Sequence, residues 1–237
     1  MTENRFRPQF TPDCTKWEII FGWVYLFVHM FAFPLLLPYL QQHAFPQMTE
    51  IQANALYYGV SLAVVMVVFW KLLRREFDHL LDRFFRCVGG IFISYFLWYA
   101  LSILMTGFMT SVGLDTTTPN DQAVDLLAKE SYNITMVISV IAAPIAEEVL
   151  FRGIAFQSIR KKNRFMAYAV SLLLFGLYHV WQYAVFYQDV KYLLFILQYL
   201  PITFALTWCY EYTGSLWPAI FFHASNNYLA MSLLKYL

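Results

Sequence analysis

Apolar residues gather into seven long runs along the chain, at 18–40, 54–73, 87–109, 132–159, 165–187, 191–209 and 216–236, separated by polar joints. A helix needs about 20 mainly apolar residues to cross a bilayer, and a backbone in oil must satisfy its N–H and C=O groups internally. The pattern predicts an all-α polytopic transmembrane bundle of about seven spanning helices. No repeat or linker interrupts it, so residues 1–237 read as a single integral membrane domain. Most joints are short. The exceptions are 41–53, the acidic 110–131, and the basic, amphipathic KLLRREFDHLLDRFFR at 71–86, which has the pattern of a helix lying along the interface.

Composition agrees with this pattern. Hydrophobic residues make up 60% of the chain and charged ones 13%, against about 45–50% apolar in a soluble domain. A net charge of +1 offers no basic surface for nucleic acid, so membrane lipid is the first partner. Cys14, Cys87 and Cys209 have neither disulfide-framework nor zinc-knuckle spacing and read as reduced packing residues. Residues 1–17 lack the apolar core and small-residue cleavage site of a removable signal peptide. With the N-terminus inside, twelve Lys and Arg fall on the inner side and only Lys129, Lys191 and Lys235 on the outer, with Arg152 set aside as intramembrane. That bias predicts N-inside and C-outside.

The runs hold a few residues that are costly in oil: Glu147, Glu148 and Arg152 in the fourth, His179 in the fifth, His223 and Asn227 in the seventh. Glu148 and Arg152 stand at i and i+4 and can pair on one helix face, while Glu147 points about 100° away. Pro144 removes a backbone bond just upstream and opens space beside Glu147. Phe175 and His179 share a face, as do His223 and Asn227. At about 1.5 Å per residue, Glu147 and His179 stand about 20 Å from the inner ends of their helices, His223 about 10 Å and Asn227 about 16 Å. These groups are expected to converge on a water-filled cavity that opens inward.

Two hydrolytic schemes fit the set. In one, a carboxylate without a cationic partner takes a proton from water and returns it to a leaving amine. One histidine then orients that water, and the second histidine with the asparagine amide supplies donors to the oxyanion. In the other, Glu147, His179 and His223 are three ligands of a catalytic Zn²⁺ whose fourth position holds water. The residues alone leave both open.

At these positions the chain resembles the CPBP family, which comprises intramembrane CAAX prenyl endopeptidases and bacteriocin-processing or immunity proteins. The family pattern EExxxR, FxxxH, HxxxN reads here as Glu147-Glu148-Val-Leu-Phe-Arg152, Phe175-Gly-Leu-Tyr-His179 and His223-Ala-Ser-Asn-Asn227. EEVLFRG and TGSLWPAIFFHASNN around them are similar too. The likeness covers about residues 131–230, which would be the catalytic core, while the first 110 residues match only in being transmembrane. It implies Glu147 as the water-activating base, His179 as its partner, and His223 with Asn227 as the oxyanion site. Glu148, Arg152 and Phe175 would support the site. The family is described both as metalloprotease and as metal-independent glutamate protease, so zinc stays open.

The implied activity is endopeptidase cleavage near the cytoplasmic face of a prokaryotic plasma membrane. Its substrate would be a prenylated C-terminus, a leader peptide or a peptide-pheromone precursor. The competing reading is a non-catalytic membrane partner or immunity protein that keeps the motif as a structural knot. A proton-coupled transporter would use the same carboxylate, but the repeat symmetry common in transporters is missing. Absence of HExxH, of a base placed for the serine in GVSLA, and of paired intramembrane aspartates argues against the other intramembrane protease chemistries. His29, alone in the first run, reads as a packing residue.

Overall fold

The computed structural model describes Phe10 and residues 13–235. Arg5, Arg7 and most of the stretch read for a signal peptide lie outside the described residues. Eight helices and no strand occur among the described residues: α1 Lys16–His43, α2 Glu50–Val68, α3 Trp70–Asp82, α4 Phe84–Ser111, α5 Pro119–Arg160, α6 Arg164–Phe186, α7 Val190–Thr213 and α8 Leu216–Leu234. Six of them, all but α3 and α8, are long and apolar enough to cross a membrane. The chain is an integral membrane protein. Helix α8, predicted as the seventh span, is 19 residues long like α2, but His223, Ser225, Asn226 and Asn227 dilute its hydropathy.

Helix starts follow local chemistry. Thr15, Thr49 and Thr118 each accept a backbone N–H while Glu18, Gln52 or Asp121, three residues on, reaches back to the cap. These reciprocal caps satisfy donors that would otherwise be orphaned at the helix end. The joint predicted over 110–131 is helical from Pro119, because Thr118 caps it. The helix breaks only at Ser131 (φ −155°, ψ 96°), one residue before the predicted span 132–159.

Helix α5 is the axis of the bundle. In its most apolar stretch 61% of residues are buried, against 17–39% in the other five spans, and it packs on α1, α2, α6, α7 and α8. It approaches α1 closely at Gly22. A Cβ there would lie 2.5–2.8 Å from three side-chain carbons of the fully buried Ile154. Gly22→Ala is therefore expected to cost about 1–3 kcal/mol through overpacking, seen as a lower thermal unfolding midpoint in detergent. Gly59→Ala, which meets nothing within 4 Å, is the control expected to show no loss.

Helix α3 corresponds to the predicted interfacial segment, but it also docks on the bundle. Phe77 and Leu81 stay exposed while Leu72, Leu73 and Glu76 are buried. Glu76 accepts hydrogen bonds from the Leu216 N–H (2.9 Å), the Tyr210 hydroxyl (2.9 Å) and the Gln157 amide (3.3 Å), tying α3 to α8, α7 and α5. Burial pushes its carboxyl from 4.5 up to about 8, against the downward pull of the Tyr210 and Leu216 bonds. A folded value above the unfolded one means that the native state holds a proton the unfolded chain has already lost. This contribution to stability is full below about pH 4.5 and is lost as pH rises through 8. Unfolding midpoints measured from pH 5 to 8 should fall more steeply in wild type than in Glu76→Gln, and equal slopes would refute this assignment.

Candidate active site

Two prolines reshape the helices around the polar cluster. In α5 a π-turn spans Ile138–Ala142, with the Ala143 N–H bonding back to the Ile138 carbonyl. The Ser139 carbonyl would look next to residue 144, but Pro144 has no N–H. Asn227 of α8 fills the gap, its amide donating to Ser139 O at 2.8 Å. The same device recurs in α1, where the Phe33 N–H bonds Val28 O across a π-turn and Pro34 leaves the His29 carbonyl without its helical donor. The Tyr57 hydroxyl of α2 donates to it at 3.0 Å. Both helices are thus clamped to a neighbour through a main-chain oxygen.

Beyond Pro144, a second π-helical stretch, Glu148–Phe156, is buried throughout. Arg152 Nη1 donates to Glu148 Oε1 at 2.9 Å, the predicted i, i+4 pair, and its guanidinium lies 4.4 Å over the Phe175 ring. His223 of α8 stands between the two glutamates. Its Nδ1 is 2.8 Å from Glu148 Oε1 and its Nε2 is 3.9 Å from Glu147 Oε2. An ionised carboxylate only accepts, so Nδ1 carries the hydrogen toward Glu148, and Nε2 faces Glu147. The other Glu147 oxygen, Oε1, accepts from the Tyr58 hydroxyl at 3.2 Å.

His179 joins the cluster less directly. Its Nδ1 donates to Phe175 O at 2.8 Å, and its ring lies 4.5 Å from the Phe175 ring, which is itself 6.0 Å from His223. Tyr199 of α7 stacks on the other side, also at 4.5 Å. No hydrogen bond links His179 to Glu147 among the described residues. Glu147, Glu148, Arg152, Phe175 and His223 therefore form one cluster, His179 stands at its edge, and Asn227 spends one amide hydrogen on Ser139. Among the described residues, the expected inward-opening, water-filled cavity is not seen beside Glu147 and His223. Glu147 is only 2% exposed and His223 5%, because Tyr58 and the π-turn carbonyl clamps close the helices around them.

Comparison with known proteins bears on what this cluster is. Residues 129–229 match the family described as "Type II CAAX prenyl endopeptidase Rce1-like". Those residues are similar to that family. The chain is also 28% identical over 183 residues to "UPF0177 protein YxdF" of Lactococcus lactis subsp. lactis (strain IL1403), covering 74% of this chain and 93% of that protein. It is 27% identical over 225 residues to "Putative membrane peptidase YdiL" of Bacillus subtilis (strain 168), covering 89% of this chain and 85% of that one. No solved structure gives a significant match.

The Rce1-like region supplies the acid, imidazole and guanidinium groups, but part of their surroundings comes from outside it. Tyr57 and Tyr58 of α2 both meet Tyr178, at 3.0 and 2.9 Å between hydroxyl oxygens. His29 Nε2 lies 3.1 Å from Tyr57 and its Nδ1 3.1 Å from Ser61. The packing role read for His29 fits this, since both ring nitrogens are partnered. The tyrosines were not among the predicted site residues; the adjacent pair in ALYYG was the one available signal, obscured by 17 tyrosines in the chain.

The zinc scheme needs Glu147, His179 and His223 gathered as ligands. Among the described residues no three His, Cys, Asp or Glu side chains are grouped so as to hold a metal ion. In this arrangement the residues do not fit a three-ligand centre, because His179 is turned to the Phe175–Tyr199 side.

Proposed function

We propose that this chain is an intramembrane endopeptidase in which Glu147 activates the attacking water. The observation that carries this reading is the His223 ring, held by Glu148 behind it and presented at 3.9 Å to Glu147, which no Lys or Arg approaches within salt-bridge distance among the described residues. The similarity of residues 129–229 to prenyl endopeptidases and the name of the Bacillus relative support it.

The chemistry is simple to balance. Water oxygen attacks the scissile carbonyl carbon and its proton passes to Glu147 Oε2. The oxyanion takes up hydrogen bonds from the second Asn227 amide hydrogen and from the Nε2–H of a His223 ring that carries both its hydrogens throughout, a cation that the Glu148 carboxylate compensates. The C–N bond breaks and Glu147 returns its proton to the leaving amine. His179, with Nδ1 fixed on Phe175 O, offers Nε2 to orient the water. Arg152 neutralises Glu148 and holds it in place.

The proposed substrates are a CAAX-type prenylated C-terminus, a leader peptide or a pheromone precursor, cut near the cytoplasmic face of a prokaryotic plasma membrane with the N-terminus inside. The bacterial sources of both relatives support that location. The test is mass-spectrometric detection of cleavage of these peptide classes by the purified protein in lipid nanodiscs, alongside metal analysis and chelator treatment. Cleavage is expected to disappear in Glu147→Ala and His179→Ala. If both variants are folded and process every substrate as wild type does, the reading is wrong.

The near-complete burial of Glu147 and His223 favours a second reading, a non-catalytic membrane partner or immunity protein. That reading requires biological function to survive Glu147→Gln and a bound protein to co-purify.

A further inference from the structure

The hydroxyl on Glu147 belongs to a longer chain of groups drawn from four helices. Starting from α2, the Ser61 hydroxyl lies 3.1 Å from His29 Nδ1, and His29 Nε2 lies 3.1 Å from the Tyr57 hydroxyl. Tyr57 lies 3.0 Å from Tyr178, which lies 2.9 Å from Tyr58, which donates to Glu147 Oε1. Proton counting gives this chain a direction. Tyr57 has one hydrogen and the His29 carbonyl takes it, so Tyr57 is an acceptor toward its other neighbours. His29 Nε2 can donate to Tyr57 while Nδ1 accepts from Ser61. The carboxylate takes the Tyr58 hydrogen, so the single Tyr178 hydrogen goes to Tyr58, and the 3.0 Å Tyr57–Tyr178 contact is left without a hydrogen of its own. His29 is also stacked between the Tyr57 and Tyr178 rings, at centroid distances of 4.9 and 5.2 Å, which fixes the far end of the chain.

We propose that Tyr58 is a positioning residue for Glu147: it pins Oε1, so that Oε2, facing His223, is the oxygen left to act. Among the described residues no other group hydrogen-bonds the Glu147 carboxylate. Without the Tyr58 hydroxyl the carboxylate is free to rotate about its terminal torsion, whose barrier is low, and the division of labour between its oxygens is lost. Tyr178 acts one step removed, by orienting the Tyr58 hydroxyl. This role lies outside the region similar to prenyl endopeptidases and rests on the endopeptidase reading of Glu147.

The experiment compares wild type, Tyr58→Phe, Tyr178→Phe, the double variant and Glu147→Gln in nanodiscs by two readouts. Kinetics on a cleaved peptide should show kcat reduced about 10- to 100-fold in Tyr58→Phe with KM within about twofold, the signature of an interaction used in the transition state. Tyr178→Phe should lose less, and the double variant should be no worse than Tyr58→Phe, because residues acting through one another are non-additive. Independently of activity, infrared difference spectra should identify the Glu147 carboxyl band by its absence in Glu147→Gln, and that band should move in Tyr58→Phe. A band unmoved by Tyr58→Phe, an unchanged kcat, or Tyr58 and Tyr178 losses that simply add would each overturn the proposal. Cleavage that survives Glu147→Gln would instead overturn Glu147 as the base, and the positioning role with it, while the infrared shift would still report whether the hydroxyl holds the carboxylate.

Discussion

Glu147→Gln is expected to lower kcat by about 10²–10⁴-fold, the usual contribution of a positioned acid-base group, with thermal stability nearly unchanged. The amide has the same shape as the carboxylate, so its oxygen can still accept from Tyr58, and the His223–Glu148–Arg152 group does not depend on it. The substitution removes one property only, the capacity to take a proton from water. A kcat within tenfold of wild type in a variant with a wild-type unfolding midpoint would mean that Glu147 is not the base.

Arg152 presents the opposite case, a large loss of stability. Its side chain is fully buried, donates to Glu148 at 2.9 Å and to the Thr203 carbonyl at 3.4 Å, and lies over Phe175. Arg152→Leu leaves the Glu148 carboxylate buried without its cation, which typically costs about 3–5 kcal/mol. The diagnostic variant is Arg152→Leu with Glu148→Gln. Removing both charges should recover much of the unfolding midpoint, because neutral replacements of buried ion pairs are often tolerated. Cleavage should not return, because His223 Nδ1 has then lost its ionised partner. Recovery of both stability and cleavage would show that Glu148 matters only as a counter-charge to Arg152.

The sequence exposed the groups that are expensive in oil. Glu147, Glu148, Arg152, His179 and His223 stand out because almost nothing else inside the apolar runs is ionisable, and their spacing gave the Glu148–Arg152 pair directly. The spans were legible for the same reason, and α8 escapes the hydropathy criterion because it carries site residues. What pattern alone did not expose is partner choice across helices. Asn227 shares a face with His223, yet its amide goes to Ser139, because a π-turn and Pro144 together leave that carbonyl open. Beyond its adjacency to Tyr57, nothing in the sequence separates Tyr58 from the other tyrosines; its place follows from α2 lying beside Glu147. The polar stretch 119–130 resembled a loop, and its capped helix depends on Thr118 and Asp121, too local a signal to outweigh its charge.

Lipid tails are as apolar as leucine, so greasy surfaces give two helices little reason to prefer one another. Pro34 and Pro144 supply such a reason by subtraction: each withholds a hydrogen from its own helix, and the stranded oxygen becomes an attachment point for the helix next door. Part of the adhesive that assembles this bundle is thus specified by imino acids through the hydrogen they lack.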